Sequence, residues 1–235
     1  MQELFRNGTL DMSAVPWGTL PDAPAWSDLL TNRILATVAV ILLIINLPEF
    51  FRLVPQLLYC YDRPRGAVTL EHSLGMARSR NLTALCYALP VCLIADRFAL
   101  MRPHFFAGIP AEWTAPALIA LTVAFLLVRA FFQLLFRPRR MSHEIFATVR
   151  HNPYNYVILL ALMMLLTVGV CTVFHVPDPV AERILLGEIA AVFLFAIFRS
   201  VQILASCCSV FSTFLYLCGL ELLPAALLVA SVVLF

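Results

Sequence analysis

The sequence contains no lysine, few glycines and few charged residues of either sign. All 16 basic residues are arginine, 8 of the 235 residues are glycine, and 13% of the chain is charged. An ordinary soluble domain is about 25% charged and about 45–50% apolar, whereas this chain is 62% hydrophobic. It has too little polar material to coat a water-facing globule. A cytosolic enzyme, a nucleic-acid-binding domain and a disordered protein are therefore excluded, which leaves a polytopic membrane protein.

Sequence motifs for chemistry are missing as well. No two of the seven cysteines have the Cys-x-x-Cys spacing, and there is no Gly-x-Ser-x-Gly motif or glycine-rich phosphate loop. His143 and Glu144 begin like the zinc motif His-Glu-x-x-His, but residue 147 is alanine, so the spacing of the two histidines fails. The sequence therefore predicts no enzyme, no metal site and no cofactor.

Long apolar runs are what the chain has instead. Six of them cover residues 34–47, 82–95, 116–136, 154–174, 184–198 and 210–235. A membrane-crossing helix needs about 20 apolar residues, so the first, second and fifth runs need flanking residues to reach across. The prediction is an all-α bundle of six transmembrane helices. A count of five, in which the second run inserts only partly, is the alternative.

The arginines predict the orientation of this bundle. Residues 1–33 lack the apolar core of a signal peptide and are interpreted as an extracytoplasmic leader, followed by a transmembrane domain at 34–235. The segments on one side of the predicted bundle hold ten arginines and those on the other side five. Arginine-rich short loops face the cytoplasm. The basic loops at about 52–81 and 137–153 are therefore predicted to be cytoplasmic, with both termini outside.

The second basic loop contains a helix-start signal. The sequence predicts Ser142 as the N-cap, and Met141 and Phe146 have the spacing of a hydrophobic staple around it. One interpretation is a short helix on the inner membrane surface, before the fourth span. The other is a solvated loop that only sets the topology.

Ionisable residues at membrane depth are rare and are therefore candidates for function. Glu221 lies three residues before Pro224, which cannot donate the backbone hydrogen bond that Leu220 would accept. At the helical rise, Glu221 lies about 21 Å, Arg129 about 20 Å and Asn46 about 18 Å from the outer ends of their runs. The sequence predicts a polar layer of these three residues beside a helix break at Pro224. Three interpretations stay open: a buried ion pair, a substrate or proton pathway, and an Arg129 that extends unpaired to the inner face.

The end of the chain resembles a known family. The stretch 214–224 is similar to the C-terminal signature Leu-Tyr-Leu-Cys-x-Leu-Glu-x-Leu-Pro of uncharacterised bacterial multi-pass inner-membrane proteins, a domain of unknown function. About a dozen residues carry the resemblance, and the signature positions here are Tyr216, Cys218, Glu221 and Pro224. The chain departs from the family at Phe235, where a terminal basic residue is expected. The resemblance implies a bacterial inner membrane and supplies no activity.

Two function classes fit these observations. The favoured one is a non-catalytic subunit or scaffold of an envelope assembly, whose apolar faces meet the lipid bilayer and a membrane-protein partner. The alternative is a small transporter or channel component that uses Glu221 beside the broken helix. The first is favoured because few polar residues lie within the apolar runs, whereas a solute pathway needs more of them. The net charge of +2 gives no reason to expect a nucleic-acid partner, and the oligomeric state is left open.

Overall fold

A computed structural model describes residues 5–6, 9–10, 25–62, 70–71, 73–100, 106, 108–135, 143–205, 213, 217–222 and 226. Regular structure in this part of the chain is helical, apart from one short antiparallel pairing. In that pairing β1 (Phe5–Arg6) lies against β2 (Thr9–Leu10). The predicted all-α class is therefore confirmed for the described residues.

Five long helices form the body of the described structure. They are α1 (Leu30–Asp62), α2 (Leu74–Arg97), α3 (Ala111–Leu135), α4 (His143–Val173) and α5 (Asp178–Ala205). A 3-10 turn at Trp26–Asp28 precedes α1, and a π-helix at Leu217–Leu222 follows α5. Four segments are long and apolar enough to cross a membrane: Leu30–Asp62, Ala111–Gln133, Phe146–Val173 and Asp178–Ala205. They support the membrane class that the composition predicts.

The number of candidate spans is smaller than the six predicted. Within the described residues, α2 is not one of the four candidate spans. Polar residues lie near both of its ends, Arg80 near the first and Asp96 and Arg97 at the second. The helix packs against α1, α3 and α4. These helices cover part of its surface, while Leu82 and Leu85 stay exposed. The sixth predicted run falls mostly outside the described residues, so a count of six stays a prediction.

Helices that follow one another in the chain run in opposite directions, as two core clusters show. In the first, Cys60 near the end of α1 packs with Phe146 at the start of α4 and Leu204 at the end of α5. We call this end of the bundle the arginine-rich end, after the basic segments predicted there. In the second cluster, Ala39 near the start of α1 packs with Leu93 near the end of α2. That cluster marks the opposite end.

The helices extend into the two predicted basic loops. Of the loop at about 52–81, residues up to Asp62 continue α1 and residues from Leu74 onward belong to α2. In the second loop, α4 begins at His143 and runs without interruption through Pro153. A separate surface helix is therefore wrong, because Phe146 is buried in the bundle core instead of lying on a membrane surface.

Large apolar side chains cover the outside of the bundle. On α1 the side chains of Ile34, Ile41 and Ile45 are exposed, and on α3 those of Leu127 and Phe131. Hydrocarbon solvates such side chains as well as a protein core does, so this exposure carries no penalty in a bilayer. The described helices therefore have surfaces suited to contact with lipid.

Candidate functional site

An ionic cluster lies inside the arginine-rich end. Arg80 on α2 donates from Nη2 to Oε2 of Glu71, in the connection between α1 and α2, at 3.0 Å. The other carboxylate oxygen, Oε1, lies 2.8 Å from Nδ1 of His151 on α4. Arg80 is 1% exposed. The carboxylate of Glu71 thus bridges two helices from the segment that joins α1 to α2.

A neighbouring amide completes the surroundings of the arginine. Nε and Nη2 of Arg80 donate to Oδ1 of Asn81 at 3.0 and 2.8 Å. A buried charge is tolerated only when its partners replace the hydrogen bonds lost from water. The planar guanidinium suits this role because its donors point in fixed directions toward two acceptors. Glu71 and Asn81 together satisfy the buried face of Arg80.

The environment of Glu71 changes the pKa of its carboxyl group. Burial by itself would raise that pKa, but the hydrogen bond with His151 and the charge of Arg80 outweigh burial, so the pKa lies below its ordinary value of 4.5. The carboxylate is consequently ionised at neutral pH, which keeps Arg80 paired.

A second contact at the arginine-rich end joins α5 to α1. The guanidinium of Arg199 donates to the backbone carbonyl oxygens of Tyr61 and Asp62, the latter at 2.9 Å. These carbonyls lie in the last turn of α1, where no residue of the helix itself is left to donate to them. A cation at a helix C-terminus is also favoured by the helix dipole. Arg199 therefore caps one helix from another.

The opposite end is closed by an aromatic donor. Nε1 of Trp26, just before α1, donates to Oδ2 of Asp96 at the end of α2 at 2.7 Å. Nδ2 of Asn32 donates to the backbone oxygen of Trp26 at 3.1 Å. Asp96 and Asn32 are both buried. These bonds fix the start of α1 against the end of α2.

Asn46 and Arg129, two of the three residues of the predicted polar layer, have different surroundings in the structure. Nδ2 of Asn46 donates to the carbonyl of Leu42 at 2.9 Å and to Sγ of Cys86 on α2 at 3.2 Å. Arg129 on α3 lines a crevice of about 200 Å³ whose other walls are α4 and α5 and whose lining is mainly apolar, as at Phe125 and Val192. Neither hydrogen bond of Asn46 reaches α3, so these bonds do not join it to Arg129.

The third predicted residue, Glu221, is described by its backbone alone. It lies in the π-helix Leu217–Leu222, which contacts α3 and α5. Leu217 and Phe132 pack against the same core cluster at the arginine-rich end. Glu221 follows Leu217 by four residues and Arg129 precedes Phe132 by three, about one helical turn in each case. Pro224 and the side chain of Glu221 lie outside the described residues, so the helix break and the ion pair stay predictions.

Sequence reasoning missed the ionic cluster. The charge pattern places Arg80 in the basic loop at about 52–81, whereas the structure buries it in α2. The short spacing of Glu71, Arg80 and Asn81 is a weak sequence signal for a local pair, but nothing in it points to His151. Among the described residues no three His, Cys, Asp or Glu side chains are placed to hold a metal ion. The fixed charge of Arg80 beside Glu71 and His151 also repels a cation there.

Comparisons of the chain with protein-family models, curated proteins and solved structures find no match. The resemblance of the C-terminal stretch to a bacterial inner-membrane family therefore stays a prediction. The arguments for function rest on the geometry of the chain itself.

Proposed function

We propose that the chain is a non-catalytic subunit or scaffold of an assembly in the bacterial inner membrane. In this proposal the arginine-rich end faces the cytoplasm and both termini lie outside it. The ionic cluster carries the proposal, since the carboxylate of Glu71 ties α2 and α4 to the segment that follows α1. Such a cluster fixes the positions of helices relative to one another, which is what a scaffold requires.

The surroundings of the cluster favour a structural role over a pathway. Arg80 is buried, and Glu71 and Asn81 accept hydrogen bonds from its guanidinium. A route for ions or polar solutes needs polar side chains that face a wet cavity. The crevice beside Arg129 is lined mainly by apolar side chains instead. The exposed apolar helix faces are suited to lipid and to the helices of a membrane-protein partner.

A second polar contact belongs to this proposal. Pairing of Arg129 with Glu221 would hold the π-helix Leu217–Leu222 against α3, and Asn46 adds a separate polar contact between α1 and α2. Support comes from the contact between the π-helix and α3 and from the matching distances of the two residues from the core cluster at the arginine-rich end. A carboxylate and a guanidinium are tolerated at membrane depth when each neutralises the other.

Purification from host membranes in a mild detergent tests the scaffold role. We expect the tagged full-length chain to be recovered with a membrane protein in fixed stoichiometry, measured by native mass spectrometry. The variant Glu71→Gln should lose much of that partner, because the helix positions are no longer fixed. The matched control Arg78→Gln changes an exposed residue of the same helix and should retain the partner. A single chain without stoichiometric partner, in detergent and in lipid nanodiscs alike, would contradict the proposal.

One observation favours the alternative, a small transporter or channel component. Glu221 lies in a π-helix. Such helical turns are rare in proteins, and those that occur are often found at functional sites. If Glu221 binds a proton or cation for transport, Glu221→Gln leaves the yield of folded protein unchanged and abolishes coupled flux in proteoliposomes. The scaffold proposal expects the reverse: a lower yield and no flux in the wild-type protein.

A further inference from the structure

A narrow crevice lies between α3, α4 and α5. Its volume is about 200 Å³, and its lining on α5 runs from Ile189 to Ser200. Eleven residues of helix rise by about 16 Å, which is about half of the roughly 30 Å thickness of the hydrocarbon core of a bilayer. The crevice therefore has the length of one lipid leaflet.

The lining of the crevice changes in polarity along its length. Its polar residues are Arg129 on α3, Tyr156 on α4 and Ser200 on α5. On each of the three helices, the lining residue farthest from the arginine-rich end is apolar: Phe125, Leu160 and Ile189. The crevice is thus polar toward the arginine-rich end and apolar away from it, which is also the pattern of a lipid headgroup and its acyl chain.

The crevice opens onto the outer surface of the bundle. Phe193 lines it and is 37% exposed. Neighbouring apolar side chains of α5 are exposed as well, at Leu194 and Phe198. In a membrane such a surface is in contact with hydrocarbon, which solvates it as well as a protein interior does. A group that enters the crevice from this side therefore comes from the bilayer.

We propose that the crevice binds one acyl chain of a phospholipid from the leaflet at the arginine-rich end, with the lipid phosphate beside Arg129 and Ser200. Every phospholipid carries a negatively charged phosphate, which complements a guanidinium and accepts charge-assisted hydrogen bonds from it. The long side chain of an arginine reaches the headgroups from a position within the hydrocarbon. Oγ of Ser200 accepts from Nδ2 of Asn152 at 3.2 Å and can donate its own proton to a phosphate oxygen.

This contact is compatible with the pairing of Arg129 and Glu221 proposed above. A guanidinium has five N–H donors, which is enough for a carboxylate and a phosphate together. The π-helix Leu217–Leu222 contacts α3 and α5, so the bound lipid and the π-helix lie between the same two helices. The lipid site depends on the crevice and on a surrounding bilayer, and it holds whether the chain is a scaffold or a transporter.

Photo-crosslinking from lipid tests the proposal on the full-length chain in nanodiscs. The probe is phosphatidylglycerol with a diazirine in the lower half of one acyl chain, and adducts are located by peptide mass spectrometry. Val192 lines the crevice, is 6% exposed and lies about 12 Å from Ser200 along α5. A chain outside the bundle does not reach it. We expect adducts at Val192 in the wild-type protein, beside those at Leu194, which is 65% exposed and reports contact with bulk lipid.

A matched pair of variants separates the crevice from the lipid surface. Ala196→Trp fills the crevice and should lower the labelling of Val192 several-fold relative to that of Leu194. Ala190→Trp adds the same side chain at an exposed position of α5 outside the lining and should leave this ratio unchanged. If Ala196→Trp does not fold, the wild-type protein decides. The absence of adducts at Val192 would mean that another occupant, such as the sixth apolar run at 210–235, fills the crevice, and the proposal would be overturned.

A second probe tests the phosphate contact. Diacylglycerol with the same photoreactive chain lacks the phosphate. It should label Val192 several-fold less than phosphatidylglycerol does, when the two probes label Leu194 equally. Equal labelling of Val192 by both probes overturns the contact with Arg129 and Ser200, and with it the phospholipid site.

Discussion

Nδ1 of His151 lies 2.8 Å from Oε1 of Glu71, although 80 residues separate them in the sequence. The contact joins α4 to the segment between α1 and α2, and through the second carboxylate oxygen it also joins both to Arg80. One carboxylate thus holds three parts of the chain. Removal of its charge should consequently affect the whole arginine-rich end.

Glu71→Gln should destabilise the protein strongly. The substitution keeps the size of the side chain but leaves the guanidinium of Arg80, which is almost fully buried, without a counter-charge. Loss of one partner of a buried pair costs about 3–5 kcal/mol, and the partial exposure of Glu71 puts the expected loss near the lower value, about 3 kcal/mol. Thermal unfolding of the purified protein in detergent measures it.

The neighbouring arginine provides the control for this change. Arg78 lies two residues before Arg80 on α2 and is exposed, so Arg78→Gln should change stability by no more than about 0.5 kcal/mol. Equal melting temperatures for Glu71→Gln and Arg78→Gln would show that the ionic cluster contributes nothing to the fold.

Acid should remove the contribution of Glu71. Its carboxyl has a folded-state pKa below the ordinary value of 4.5, so the unfolded chain binds this proton more readily than the folded one. The stabilisation by Glu71 is therefore fully present above pH 4.5 and is lost as the pH falls through the lower folded-state pKa. We expect the difference in melting temperature between the wild-type protein and Glu71→Gln to shrink over that range. A difference that stays constant, or widens on acidification, would contradict the low pKa.

The helices were largely predictable from the sequence because lipid requires long apolar runs. Four of the six runs correspond to candidate spans. The second run corresponds to α2, whose central position between α1, α3 and α4 depends on tertiary packing that no local pattern reveals. The limits of the loops were predicted less well. The charge pattern predicts a loop wherever arginines occur. The helices α1 and α4 nevertheless continue past the arginines in their sequences, because neighbouring helices bury the ends of α1 and α4.

The ionic cluster shows why the candidate site was harder to predict than the helices. The estimate of membrane depth from the helical rise singles out charged residues inside apolar runs, such as Arg129 and Glu221. It passes over Arg80, which lies just before a run and is buried by tertiary contacts. The partner His151 is 80 residues from Glu71 in the sequence, and a single histidine near a membrane face matches no recognisable sequence motif. Pairings across such distances follow from the packing of helices, which one sequence alone does not contain.

Trp26→Phe should loosen the start of α1 without unfolding the bundle. Phenylalanine keeps most of the packing but removes the indole N–H that donates to the buried Asp96 at 2.7 Å. A buried acceptor without its donor costs about 1–3 kcal/mol. Hydrogen exchange of residues 25–32 should become faster, while exchange in α4 stays unchanged. Trp113→Phe, at an exposed tryptophan, is the control. Equal exchange in the two variants would show that the bond does not hold this segment.

The proposed pairing of Arg129 with Glu221 predicts a characteristic pattern in a double-mutant cycle. Arg129→Gln and Glu221→Gln each leave one charge at membrane depth without its counter-charge, so each should lower the yield of folded protein. The double variant leaves two neutral amides and should recover part of that yield, since a shared interaction makes the two effects non-additive. Yield is measured by fluorescence-detected size exclusion of the tagged protein. Asn46→Leu, at a residue whose hydrogen bonds go to α1 and α2, should add its effect independently. Strictly additive losses for Arg129 and Glu221 would mean that the two side chains do not neutralise each other, and the second contact of the proposed scaffold would have to be abandoned.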